Sequence, residues 1–144
     1  MKLFTIGFTK KSAEEFFTRL QKAGVRRIVD VRLKNTSQIA GFAKARDLKY
    51  FLHAITGIDY VHIPDFAPTQ EILDVFKKRK GSWTEYERRF DNLMVKRSIV
   101  DIASEALRDG DCLLCSEHTP EHCHRRLVAE HIQKHLPNVE VVHL

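Results

Sequence analysis

The chain alternates short apolar runs with amphipathic stretches, and that alternation predicts the order of its elements. Leu3-Phe4-Thr5-Ile6-Gly7-Phe8 is an apolar run containing a glycine. Ser12-Ala13-Glu14-Glu15 follows, an N-cap serine with a glutamate three residues on, and it opens the periodic Phe16, Phe17 and Leu20. This predicts a strand, then a helix stopping at Gly24, then a β-branched strand at Ile28-Val29-Asp30-Val31. Residues 33–45 lack a period and carry Asn35, Thr36, Ser37 and Gly41, the make-up of a polar loop. Asp47 to Ile55 sets Leu48, Phe51, Leu52 and Ile55 on one helix face closed by Gly57, and Tyr60-Val61-His62-Ile63 is a third strand cut by Pro64. Pro68 to Phe76 reads as a helical turn or two, and Trp83 to Leu107 as one long helical stretch. Cys112-Leu113-Leu114-Cys115 is apolar throughout, as befits a strand in the middle of a parallel sheet. Thr119 as N-cap and Pro120 at the first helical position predict a last helix through Leu136, and Val139-Glu140-Val141-Val142 is the closing strand.

Strands alternating with helices predict a three-layer α/β fold with a mainly parallel central sheet of about five strands and helices on both faces. Residues 1–144 are expected to form a single domain, with no internal repeat or linker. Ligands of such sheets sit outside the carboxyl ends of the strands, where strand order reverses. The polar residues gather at those ends: Gly7-Phe8-Thr9, then Asp30 and Arg32, then Pro64 and Asp65, then Cys115-Ser116-Glu117-His118.

Asp30 and Arg32 share one side of their strand, opposite Val29 and Val31. A charged pair there is either a satisfied salt bridge or an arginine held to bind an anion. The segment from Leu113 to Arg126 puts a thiol, Cys115, at a strand end just ahead of a helix N-terminus, whose unpaired N–H groups and dipole favour a thiolate. Such a thiolate is a competent nucleophile, and Arg125 and Arg126 can donate charge-assisted hydrogen bonds to an anion. Nine residues separate Cys115 from Arg125, so this is not the Cys-x5-Arg cradle of tyrosine phosphatases. Cys112, in mid-strand, reads as a core residue. Cys123 stands four residues before Leu127, the spacing of a packed helical pair, with approach to Cys115 as a resolving thiol the other reading.

Composition narrows the choices. With 144 residues, 43% of them hydrophobic and 30% charged, the chain is neither disordered nor low-complexity in type. Its net charge of +5 equals the excess of eight basic over three acidic residues in Lys77 to Arg97. That basic segment, with Trp83 and Tyr86, supports the alternative function, a non-catalytic nucleic-acid-binding module. Three cysteines, no cleavable apolar leader and no long apolar span predict a cytoplasmic, reduced protein with free thiols and no membrane partner. Cys115, His118, His122, Cys123 and His124 have metal-ligand chemistry, but Leu-Leu between Cys112 and Cys115 makes an extended strand that throws the two sulfurs to opposite faces. No metal and no other cofactor is therefore expected, and a Cys/His-bound ion stays as the minor reading.

On these residues the chain resembles the family known as domain of unknown function 488 (DUF488). The resemblance rests on Thr5-Ile6-Gly7, Val29-Asp30-Val31-Arg32, Asn35-Thr36-Ser37 with Gly41-Phe42, Ile58-Asp59-Tyr60 to Pro64, and Trp83 with Tyr86 and Phe90. Above all it rests on Leu114-Cys115-Ser116-Glu117 with Pro120 and Cys123-His124-Arg125. Many members read His-Ser where this chain has Phe8-Thr9. The resemblance implies an α/β fold and a shared polar cluster of Gly7, Asp30, Arg32, Ser37, Cys115, Glu117, Cys123, His124 and Arg125, without implying a reaction. In arrangement alone it is loosely similar to rhodanese-like sulfurtransferases.

The expectation is an anion-binding thiol enzyme, or a decayed one, working by sulfur transfer or by phosphoryl or nucleotidyl chemistry. Cys115 is the nucleophile, Glu117 and His124 the acid/base pair, Arg32 and Arg125 the anion clamp and Asp30 the group orienting Arg32. Gly7, Ser37 and Cys123 complete the binding site. The expected partner is an anionic small molecule or nucleotide.

Overall fold

A computed structural model describes residues 1–36, 41–77 and 81–144. Its strands are β1 (Lys2–Gly7), β2 (Arg27–Asp30), β3 (Asp59–His62), β4 (Asp111–Cys115) and β5 (Glu140–His143). Its α-helices are α1 (Ala13–Ala23), α2 (Ala45–Phe51), α3 (Gln70–Lys77), α4 (Trp83–Lys96), α5 (Ile99–Ala106) and α6 (His124–His135). The strands form one all-parallel sheet in the order β3-β2-β4-β1-β5, and β4, buried along its whole length, takes the central place. β1 and β2 run parallel with β4 between them.

The order β3-β2-β4-β1-β5 fixes where the helices lie. The steps β1 to β2 and β2 to β3 run one way along the sheet, and β3 to β4 and β4 to β5 run the other. Crossovers that share one hand then place their helices on opposite faces. Phe4, Ile6, Ile28, Cys112 and Leu114 pack with residues of α1 and α2 on one face. Leu3, Val29, Val31, Leu113 and Cys115 pack with residues of α3 to α6 on the other. The alternation of β4 thus separates Cys112 from Cys115, as the Leu-Leu spacer predicts. Neighbouring strands β2 and β4 send their connections in opposite directions, so the switch point lies between their carboxyl ends.

Several local signals act as the residues suggest. Ser12 accepts a hydrogen bond from the Glu15 N–H, and Gly24 takes the left-handed conformation, φ 77°, that ends α1. The expected helix to Ile55 is α2 followed by a π turn, Leu52–Thr56, closed at Gly57. Two expectations are corrected. The stretch Trp83 to Leu107 breaks at Ser98, whose φ is +54°. Tyr86, Phe90 and Met94 are buried at four-residue steps, as are Ile99, Ala103 and Leu107. The five-residue step from Met94 to Ile99 breaks that rhythm, and the chain resets there to keep both stripes on the sheet. Nor does Thr119-Pro120 begin the last helix, which starts at His124 with Cys123 as its N-cap. The carbonyls of Pro120 and Glu121 instead accept from the Arg126 side chain, and Cys123 N–H turns back to Pro120. Among the described residues no helix is long and apolar enough to cross a membrane.

Candidate active site

A cavity of about 400 Å³ opens at the carboxyl ends of β2 and β4, the switch point of the sheet. Arg32, Cys115, Ser116, Glu117, Cys123 and His124 form its polar floor and rim, and Leu73, Phe76, Trp83, Tyr86 and His122 its apolar wall.

The thiol is reached from three directions. Cys115 Sγ is 3.5 Å from His124 Nδ1, and His124 Nε2 is 2.6 Å from the carbonyl oxygen of Val31. That carbonyl fixes the imidazole's orientation: a proton on Nε2 donates to it, and the sulfur lies broadside to the ring, 3.8 Å from Nε2 as well as 3.5 Å from Nδ1. On a second side, Cys123 Sγ shares the cluster, the ligand atoms of Cys115, Cys123 and His124 all lying within 4.8 Å of one another. On the third, the backbone N–H groups of Ser116 and Glu117 favour negative charge on the sulfur. Burial alone would push the Cys115 thiol up. The Cys123 hydrogen bond, the Arg125 guanidinium and the two N–H groups outweigh it and bring the thiol below its ordinary value. Cys123 moves the other way, raised by burial and by the neighbouring Cys115 sulfur, so it serves as the proton donor of the pair. Burial also raises Cys112 on the far face.

Arg32 donates from Nε and one terminal nitrogen to the two Asp30 carboxylate oxygens, at 2.9 and 2.8 Å. Asp30 also accepts from Tyr60 Oη and from the side chain of Asn35. Burial opposes ionisation of Asp30, but the Arg32 hydrogen bonds win and hold its carboxyl below the usual range. Arg32 Nη1 has no partner among the described residues, although the side chain is almost wholly buried and lines the cavity. Of the two readings left open by the sequence, the salt bridge is the one observed, and it uses Nε and Nη2 while Nη1 stays outside it.

Arg125 does not line the cavity. It is fully buried, donates from Nη1 to the Glu117 carbonyl at 2.7 Å, and leaves Nε and Nη2 without partners among the described residues. Its place is beneath the loop that follows β4, where Thr9, Lys11 and Arg126 hold further carbonyls of the same loop. Gly7 permits that closeness, because a Cβ there would stand 1.5 Å from the Glu117 carbonyl oxygen and 2.9 Å from Arg125 Nη1. Glu117 turns its carboxylate to the rim, 3.7 Å from Lys77 Nζ, with both side chains about half exposed. Asp30 lies under Arg32, and Ser37 lies outside the described residues.

The site also uses groups that the sequence reading passed over. The Val31 carbonyl orients His124, Tyr60 and Asn35 anchor Asp30, and His62 Nε2 holds the Arg32 carbonyl at 2.7 Å. Trp83 and Tyr86, read from sequence as part of a basic segment, stack at 4.7 Å and wall the cavity with Phe76 and His122. Their advance signals were aromatic content beside a charge run and their part in the family resemblance.

A family model described as Domain of unknown function DUF488 matches residues 12–132, a span that includes β2, β4 and every residue of the thiol cluster. No curated protein and no solved structure matches the chain.

Proposed function

The chain belongs to the DUF488 family, which brings no reaction with it, and on the geometry of its site we propose that it is a sulfur-transfer enzyme for anionic donors. The observation that carries this reading is the array Cys115, His124 and Val31 carbonyl: a nucleophile, a base, and a group orienting the base. Cys123 beside the nucleophile favours sulfur transfer over phosphoryl chemistry. The latter calls for several guanidinium donors turned into the cavity, whereas Arg32 lines it and Arg125 serves the loop.

In the proposed reaction the Cys115 thiolate attacks the outer sulfur of a sulfane donor. The donor's S–S bond breaks, its leaving group departs as a thiolate or sulfite with the bond's electron pair, and Cys115 keeps the sulfur as a persulfide. The Arg32 guanidinium, at the cavity floor, supplies charge to the anionic end of the donor. Cys123 S–H can donate to the persulfide until an acceptor thiolate takes the outer sulfur and regenerates Cys115. Phe76, Trp83 and Tyr86 shield the intermediate from water.

The cationic segment offers less to nucleic acid. Arg88 and Arg89 are both paired with Glu85, and Arg97 donates to the carbonyls of Asp65 and Ala67. The test is intact-protein mass after incubation with thiosulfate or glutathione persulfide. The expected result is one added sulfur atom, removed by dithiothreitol and located on Cys115. Absence of the adduct together with salt-sensitive oligonucleotide binding would favour the nucleic-acid module instead.

A further inference from the structure

The extended Leu-Leu spacer bars Cys112 from sharing a metal with Cys115, and the fold supplies Cys115 with a different partner. The loop after β4 returns Cys123 to the sulfur that it left eight residues earlier, and His124 follows it directly. From this convergence we infer that Cys115, Cys123 and His124 form a Cys2His site for a thiophilic divalent ion of the zinc class, with its fourth position open to the cavity.

Three observations support the site. The first is spacing. Zn–S and Zn–N bonds of about 2.3 and 2.0–2.1 Å at a tetrahedral angle put sulfur and nitrogen about 3.5 Å apart. Cys115 Sγ and His124 Nδ1 are 3.5 Å apart. Two sulfurs on one zinc stand about 3.8 Å apart, and the whole cluster falls within 4.8 Å. The second is the histidine's outer contact. A ligating imidazole donates its other N–H to a carbonyl or carboxylate, and His124 Nε2 already has the Val31 carbonyl at 2.6 Å. Nδ1 is then the nitrogen left for a ligand bond, with the Cys115 sulfur 3.5 Å from it. The third is access, since all three residues line the cavity and leave the fourth coordination direction to water or an anion.

Binding releases the Cys123 proton, and the two thiolates then cancel the charge of the dication, taking the cluster from one negative charge to none. Metal and sulfur donor compete for the same sulfur. The inference does not depend on the sulfur-transfer reading.

The test is titration of the chelator-treated full chain with cobalt(II). One cobalt per chain is expected, with sulfur-to-cobalt charge-transfer absorption and tetrahedral d–d bands, displaced by zinc. Cys123→Ser and His124→Gln should each weaken binding by more than the roughly 10–100-fold that loss of an outer-layer partner costs, while Cys112→Ser keeps the spectrum. Octahedral cobalt without sulfur absorption, or a spectrum unchanged in Cys123→Ser, would overturn the site. Should the variants fail to fold, zinc on the wild-type chain must slow alkylation of Cys115 and Cys123 and leave Cys112 unaffected. No such protection also overturns it. Sulfur loading measured in chelator separates the two readings: loading without cobalt binding removes only the metal, and cobalt binding without loading removes only the sulfur transfer.

Discussion

The amino and carboxyl ends of β2 and β4 both gather polar groups, and the two ends are finished differently. At the amino end, Arg27 donates to both oxygens of Asp111 at 2.9 and 2.6 Å and to the Ala106 carbonyl, and Asp111 also accepts the Arg108 N–H. Every donor of that pair with buried atoms is met, and the result is a closed structural clasp. At the carboxyl end the same chemistry is left incomplete. Among the described residues, Arg32 keeps one nitrogen without a hydrogen-bond partner and Arg125 keeps two, beside a sulfur brought below its ordinary thiol value. Buried polar groups are rarely left unmet without a reason. The unmatched donors, more than the charges themselves, mark the working end of the sheet.

The sharpest break in that comparison is at the sulfurs. Cys115→Ser should abolish sulfur loading in the mass assay, while Cys112→Ser, three residues earlier on the opposite face, should load like the parent chain. Equal loading in both variants would place the chemistry elsewhere.

Next come the two carboxylates. Asp30→Asn strips the partner from a buried arginine and Asp111→Asn from a partly buried one, a loss of about 3–5 kcal/mol with Asp111 toward the low end because Arg27 stands nearer water. Guanidinium unfolding measures both. Only Asp30→Asn should also raise the donor concentration needed for half-loading of Cys115, since only Arg32 reaches the cavity. The native carboxyl of Asp30 titrates below its unfolded value of about 3.9. Its stabilisation is therefore full above that value and is lost as pH falls through the native one, so Asp30→Asn should flatten the acid limb of the stability curve.

Gly7→Ala should cost about 1–3 kcal/mol by overpacking, because its Cβ meets the Glu117 carbonyl rather than a movable side chain. It should also slow Cys115 alkylation by displacing the Glu117 N–H from the sulfur. A variant as stable and as reactive as the parent would show that the loop shifts freely.

The fold was largely legible from periodicity, because strand and helix patterns depend on near neighbours: β4's apolar run, Ser12 and Gly24 at the ends of α1, and the strand-end position of the polar residues. The start of α6 was not, because Thr119-Pro120 is a sound helix opening overridden by Arg126, which takes the carbonyls the first turn would have used. Cys115 with His124, and Arg32 with Asp30, were named from sequence because each pair is close along the chain. Arg125's position under the loop was not, since it depends on β1 lying beside β4, a contact between Gly7 and Cys115 that no local pattern encodes. The cavity wall from α3 and α4 was hidden for the same reason.

Arg125→Met is the smallest perturbation by stability and the most discriminating by chemistry. Arg27→Met would leave Asp111 bare and destabilise the amino end. Arg125 has no carboxylate partner among the described residues, so replacing it with an apolar side chain of similar length should move stability by within about 1 kcal/mol near neutral pH, where loss of the Glu117 contact offsets removal of a buried cation. The thiol responds instead. The wild-type alkylation midpoint of Cys115 should lie below the ordinary thiol value of about 8.5 and should rise in the variant. Because the native thiol value is lowered, its stabilising share is present above about pH 8.5 and is lost as pH falls through the native midpoint. The variant's deficit should therefore be larger in alkali than at pH 6. A midpoint that stays in place would assign Arg125 to the loop alone and make its two unmatched nitrogens a packing defect, which would remove the distinction between the closed end of the sheet and the open one.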